Sequence, residues 1–334
     1  MWLKSSYSLL KKMNNSQNIL CPILFTHYGY SEYLPYTLNC ANRTNGKTRR
    51  IFLGDPLNRA VAQKYGWVHH KIQEYKSAKL EKFQSVFRHI KGRDHPIMLN
   101  GQDWLRYVFD RWFYMEEFLL RNGIERFWHF DSDTMILADF REYQDRINYD
   151  FTTQCNGTCL NGLILTEVVS EFNDHTIAMF ENIETMMKWE GYMVKHPTYS
   201  FNEMTAFNEY QKTCRRTGVH LMRWSDTEVF DDAIRQEHGF EMRTYPAIEG
   251  TAYRIKNIFK DKAGFFGIRE GKLVKFLSLN LSWCHEEIFQ WVLCSLNKKN
   301  ANLGQIQRPR IRDALKKARI SIKKIIINLF NQQN

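Results

Sequence analysis

Arg111–Leu137, RWFYMEEFLLRNGIERFWHFDSDTMIL, is the stretch whose reading decides the fold. Its first part completes a run from Gln102 to Arg121. There Leu105, Val108, Trp112, Met115 and Leu119 recur at spacings of three and four, as a helix with one core-facing stripe requires. Asn122-Gly123 follows that helix. Arg126–Phe130 (RFWHF) then reads as a buried strand that ends in Asp131-Ser132-Asp133, and Met135–Leu137 resumes as an apolar run.

The same alternation extends outward. Ile19–Thr26, Arg50–Leu53 and Trp67–His70 read as strands; Leu34–Asn42, Asn58–Tyr65 and Ser77–Ile90 read as helices. Phe151–Thr153 and Leu163–Leu165 are predicted strands around the loop QCNGTCLNG. Phe172–Trp189 and Asn202–Arg216 are predicted helices, and Lys272–Leu281 a late strand. Strand and helix in alternation predict an open, mostly parallel α/β sheet.

Composition supports a folded chain. The 334 residues are 43% hydrophobic and 14% aromatic, which excludes a largely disordered protein. The net charge of +11 invites a nucleic-acid reading, but its distribution argues otherwise. Residues 1–12 carry +3, residues 298–334 carry +9, and the body between them carries −1. Nucleic acid is therefore not the expected partner. Seven scattered cysteines, an odd number without a CxxC pair, suit reduced thiols in a cytosolic protein. The start, MWLKSSYSLLKKMNN, lacks the apolar run of a signal peptide, and no stretch reaches the roughly 18 apolar residues of a membrane span.

Asp131 and Asp133 carry the sharpest chemical signal. Side chains at i and i+2 share one side of an extended chain. Two carboxylates so placed suit a hard divalent cation, Mn²⁺ or Mg²⁺, which can bridge a diphosphate. In open α/β sheets, ligands bind at the carboxyl ends of strands, where this pair is expected. His69-His70 is no metal pair, because neighbours on a strand point to opposite faces.

Arg111–Leu137 resembles the Asp-x-Asp region of GT-A-fold glycosyltransferases. ILFTHYGYSEYLPYTLNCA resembles their first strand and donor loop, and RRIFLGDPLN their second strand. CNGTCLNGLIL resembles the segment facing donor sugar and acceptor, and SFNEMTAFNEY an acidic acceptor-side motif. The likeness runs over residues 19–290 in matching order. It implies a GT-A-like, Rossmann-type open twisted sheet, mostly parallel and flanked by helices. It also implies transfer of a sugar from a nucleotide-diphosphate donor, with Mn²⁺ or Mg²⁺, to a glycan or lipid-linked acceptor.

By the same resemblance Asp133 is a direct metal ligand, and Asp131 meets the ribose or shares the metal. Thr26 and Asp55 sit at the nucleotide. Arg111 reaches the diphosphate or holds the Asp pair, and Asn161 and Gly162 line the sugar pocket. The family's late-strand His is replaced by Asn280, and the Gly after it by Trp283. Asn280 or His285 is then the further metal ligand. For an acceptor base, which only an inverting reaction needs, Glu203 comes first and Asp226 second, with Asp231 and Asp232 third. A nucleotidyltransferase using the same carboxylates, or a non-catalytic membrane-bound protein with a degenerate transferase fold, are the alternatives.

Three segments are thus expected: a basic stretch over 1–18, the transferase domain over 19–297, and a basic amphipathic helix within 298–334. In the last, Ile311, Leu315, Ala318, Ile322, Ile325, Ile326 and Leu329 form one stripe, and Arg312, Lys316, Arg319 and Lys323 another. Cationic amphipathic helices of this kind lie on anionic membranes or pack their apolar face on the domain. The expected location is cytoplasmic, peripheral at the inner membrane face through residues 309–330. In vesicle flotation the full chain should rise with anionic lipid and a chain ending at Asn302 should not; equal binding would remove the membrane role.

Overall fold

The computed structural model describes residues 20–99, 102–246 and 252–303. The basic segment over 1–18 and the amphipathic helix over 309–330 lie outside the described residues.

The first half builds the central sheet. Strand β1 (Ile23–His27) leads through α1 (Leu34–Thr44) to β2 (Arg50–Gly54), and α2 (Pro56–Lys64) leads to β3 (Val68–Lys71). After α3 (Ala78–Val86) come two short strands, β4 (Met98–Leu99) and β5 (Gln102–Asp103). The long helix α4 (Trp104–Arg121) feeds β6 (Arg126–His129). Strands β1, β2, β3 and β6 pair in parallel, in the order β6-β1-β2-β3.

Side-chain alternation explains why these strands are apolar on both faces. Ile23 and Phe25 of β1, Phe52 of β2 and Trp128 of β6 enter one core. Leu24, Ile51, Leu53 and Phe127 enter the other, beneath α4. A parallel sheet covered on both faces needs this continuous apolar run. Caps set the helix starts. Asp55 accepts the Leu57 N–H at 2.8 Å ahead of Pro56, and Asp103 accepts the Arg106 N–H at 3.0 Å.

After β6 the chain leaves the central sheet. Residues 130–133 form a turn into β7 (Thr134–Ile136), followed by β8 (Phe151–Gln154), β9 (Cys159–Leu160) and β10 (Gly162–Leu165). Strand β10 returns to the central sheet antiparallel to β6. Helices α5 (Thr166–Glu181), α6 (Ile183–Lys195) and α7 (Glu203–Thr213) follow, then β11 (Gly218–His220) and β12 (Glu228–Phe230). Strands β13 (Met242–Pro246), β14 (Ala252–Lys256), β15 (Phe259–Asp261), β16 (Gly264–Arg269) and β17 (Lys272–Asn280) precede α8 (Glu286–Ser295) and β18 (Ala301–Asn302).

Two expectations need correction. The sheet is mostly parallel only at its centre. A second sheet, β12-β17-β16-β15-β18 with β7 against β17, is chiefly antiparallel, with β12–β17 its parallel pair. It takes in β18, past residue 297. The helix expected over Phe172–Trp189 is two helices. Asn182 breaks it with extended backbone, and its side chain accepts the Thr185 N–H at 2.8 Å to start α6.

The β7–β17 pairing places Thr134 opposite Asn280. The Asp131–Asp133 turn is therefore the crossing between the two sheets. Gly162, which follows β9, has φ of 99°, and a Cβ there would strike Thr152 Oγ1 and Leu221. The Thr152 hydroxyl donates to the Asn161 carbonyl at 2.6 Å and accepts the Leu163 N–H at 2.8 Å. The lack of a side chain at Gly162 therefore serves packing. Gly162→Ala is expected to lower the unfolding free energy by about 2–4 kcal/mol, read by urea denaturation.

Candidate functional site

Arg111 organises the site. It points from α4 with its side chain only 13% exposed. Its Nη1 donates to Asp131 Oδ1 at 2.8 Å, and its Nη2 to Glu203 Oε1, at the first residue of α7, at 3.1 Å. The other oxygen of Asp131 accepts from Asn161 Nδ2 at 3.4 Å. One helix, one turn and one helix start thus meet at a single guanidinium, and a hairpin end joins them through Asp131.

The electrostatics follow from burial and distance. Burial opposes ionisation of Asp131, but the Arg111 charge outweighs it and holds the carboxyl below its ordinary range. Asp133 lacks such a cation. Burial, with the Asp131 charge beside it, pushes it up to about 7. Glu203 is also pushed up to about 7 by burial, which Arg111 offsets only in part.

Asp133 faces the late strand. Its Oδ2 accepts the Ser282 hydroxyl at 2.8 Å, and its Oδ1 is buried without a partner. Asn280 Oδ1 accepts the Ser282 N–H at 3.0 Å and lies 2.6 Å from Ser282 Oγ. Carboxylate, amide and hydroxyl oxygens are therefore linked through Ser282 on the Oδ2 side of Asp133, while its Oδ1 is left unpartnered. This donor set fits a hard cation such as Mn²⁺ or Mg²⁺. Among the described residues, no three His, Cys, Asp or Glu side chains converge as a metal group. A cation here would lean on Asp133, on neutral oxygens and on its substrate. His285 stands at the residue before α8.

The donor-side residues divide. Thr26 lies near the end of β1, 4% exposed, with its hydroxyl buried and unpartnered. Asp55 is equally buried, and its carboxylate is spent on backbone, accepting from the N–H groups of Leu57 and Gly29. Asn58 Nδ2 donates to the carbonyls of His27 at 3.2 Å and Gly29 at 3.1 Å, so Asp55 and Asn58 together hold the loop after β1. His69 lies 2.9 Å from Asn58 Oδ1 and belongs to this scaffold.

Sequence reasoning missed His27. Its Nδ1 lies 2.8 Å from Ser132 Oγ, between the two aspartates, and Tyr33 Oη lies 3.2 Å from the same atom. Burial lowers the His27 pKa to about 4, so the ring is neutral at pH 7. Its position at the end of a strand was the available signal.

Asp226 does not join the cluster. It is exposed, two residues before Glu228, which pairs with Lys275. Asn280 lies five residues further along β17, about 16 Å at the rise of a strand. Asp231 and Asp232 do lie at the site end. Both are fully buried: Asp231 holds Lys256 Nζ at 2.7 Å, and Asp232 faces His220. A cavity of about 10 Å³ opens beside Arg111, Asn161 and Glu203, with Cys159 and Phe207 in its wall. It has room for a single water.

No protein-family model matches the chain, and no curated protein matches it. Among solved structures, a cytidylyltransferase from Leptospira borgpetersenii serovar Hardjo-bovis (strain JB197) is similar at 11% identity, over 60% of this chain and 74% of that one, with a TM-score of 0.30.

The raised Glu203 pKa sets a pH test. Below its ordinary value of 4.5 both folded and unfolded states bind the proton; between 4.5 and about 7 only the folded state does. Ionisation therefore costs the fold stability as pH rises through that window. The stability of Glu203→Gln relative to wild type should rise by up to about 3 kcal/mol from pH 4.5 to 7, then level off, in urea titrations. A flat difference would remove the raised pKa.

Proposed function

We propose that the protein is a glycosyltransferase that uses a nucleotide-diphosphate sugar. The observation that carries this reading is the Asp131-Ser132-Asp133 turn at the carboxyl end of β6. It leaves one buried carboxylate oxygen of Asp133 unpartnered, while the other accepts the hydroxyl of Ser282, which also contacts the Asn280 amide oxygen. An open parallel sheet presents its ligand site at strand ends of this kind.

When bound there, Mn²⁺ or Mg²⁺ would supply Lewis-acid stabilisation of the leaving diphosphate. Asp133 would hold the cation, with Asn280 and Ser282 as neutral oxygen donors. Asp131, fixed by Arg111 and Asn161, would position the ribose or share the cation. Arg111 would hold Asp131 and Glu203, each through one of its terminal nitrogens. Thr26, buried near the end of β1, would back the nucleotide site rather than contact it.

The acceptor is a glycan or a lipid-linked sugar. Among the described residues no helix is long and apolar enough to cross a membrane. Access to a lipid-linked acceptor would come through the cationic stripe over 309–330, with the enzyme at the inner membrane face.

Calorimetric titration with UDP, GDP and CDP in Mn²⁺ tests the reading. At least one should bind, and Asp133→Ala should weaken it by at least about tenfold, the scale of one lost metal-coupled contact. Unchanged affinity in the variant would overturn the metal role. Formation of a nucleotide sugar and diphosphate from a nucleoside triphosphate would instead make the protein a nucleotidyltransferase.

A further inference from the structure

Three of the non-glycine residues with left-handed backbone meet around one residue, Asp232. Cys155 has φ of 53°, Asn156 of 56° and His238 of 45°. The Asn156 N–H donates to Asp232 Oδ2 at 2.8 Å, Cys155 Sγ lies 3.9 Å from the Asp232 carbonyl, and His238 Nε2 lies 4.0 Å from Asp232 Oδ2. His238 is tied in by Asn156 Oδ1 at 2.8 Å. Each such backbone costs about 1–2 kcal/mol, and strain of this kind gathers where function over-determines the fold.

Asp232 is fully buried and faces His220, whose Nε2 lies 2.9 Å and 2.7 Å from its two oxygens. A carboxylate oxygen accepts, so Nε2–H donates, and in the neutral ring the lone pair falls on Nδ1. Nδ1 makes no hydrogen bond among the described residues, and the side chain keeps 14% of its surface open. An imidazole held in one tautomer by a buried carboxylate is the arrangement of a general base.

The dyad lies within reach of the aspartate turn. The Asp231 N–H donates to the Ser278 carbonyl at 3.2 Å and the Ile234 N–H to the Asn280 carbonyl at 2.9 Å, so this loop runs along the end of β17. Strand β17 pairs in turn with β7, which begins just after Asp133. Two inter-strand steps, about 10 Å, separate the dyad's loop from that turn with β17 between them, so an acceptor reaching both would lie across the end of β17. The hairpin β8–β9 joins the same places from the other side. Its turn carries Cys155 and Asn156, and its far end leads to Asn161 on Asp131.

We propose that His220, with Asp232 as its positioning residue, takes the proton of the acceptor hydroxyl. This rests on the transferase reading above. Glu203 is the weaker base on geometry, since one oxygen is held by Arg111 and the group opens on a cavity the size of one water. In the step, the acceptor oxygen forms a bond to the anomeric carbon as its proton passes to His220 Nδ1. The bond from that carbon to the diphosphate breaks, and its electron pair leaves on the diphosphate oxygen. The imidazolium, stabilised by Asp232, returns the proton to solvent.

The test uses nucleotide release from UDP-, GDP- and CDP-sugars in Mn²⁺, with water as acceptor. His220→Ala should cut kcat by about 10²–10⁴-fold and leave the affinity for the parent nucleotide unchanged, and added imidazole should restore part of the rate. Asp232→Asn should also lower kcat, and Glu203→Gln should lower it less than His220→Ala does. A wild-type rate in His220→Ala, or the reverse order of the two variants, overturns the assignment. Nitrogen-15 NMR reads the dyad without any substrate. The Nε2–H tautomer is expected in wild type, and a proton found on Nδ1 overturns the proposal. A wild type that releases nucleotide from none of these sugars overturns the transferase reading and the step with it, while the tautomer still reports on the dyad.

Discussion

The buried guanidinium of Arg111 is the constraint on which the site depends. It faces two carboxylates that burial would otherwise keep neutral, and it has two nitrogens to give. Asp131 gains enough from it to stay ionised, and Glu203 does not. Asp133, which Arg111 does not contact and only weakly offsets, is the carboxylate left seeking a charge. Removing one member of such a set strands the others, at a cost of about 3–5 kcal/mol for a buried pair. The three acids are therefore one electrostatic unit with a designed shortage of positive charge.

That shortage sits at a topological seam. Strand β6 belongs to the parallel sheet and β7 to the sheet built on β17, so four residues carry the chain from one core to the other. The seam lets groups from remote segments approach. Ser282 and Asn280 come from the end of β17, Asn161 from the β8–β9 hairpin, and His27 with Tyr33 from the first loop. A hydroxyl, Ser132 Oγ, ties the first loop to the seam.

Much of the scaffold was legible in the sequence. Ile23–Phe25, Ile51–Leu53 and Phe127–Trp128 are continuous apolar runs because both faces of their sheet are covered, and the α4 stripe has helical spacing. The antiparallel sheet was less legible. Its strands are short, and β17 finds β7 across more than a hundred residues of chain, a pairing that no local period records. Asn182 was misread because one capping side chain outweighs an unbroken apolar pattern. The site was legible as a turn with two aspartates. The Asp55 carboxylate looked like a ligand group until its two backbone partners were seen.

By itself the sequence determined where the helices and central strands run, that an acidic turn closes a buried strand, and that the charge of the chain lies at its ends. Those properties follow from neighbours in the chain, through side-chain period and capping. The tertiary structure decided which acids share a cation and which go without one. Arg111 meets Asp131 across 20 residues and Glu203 across 92, and His220 at the end of β11 meets Asp232 across 12. Coulomb energy and desolvation depend on separations of about 3 Å between such groups, and only the folded chain sets those distances.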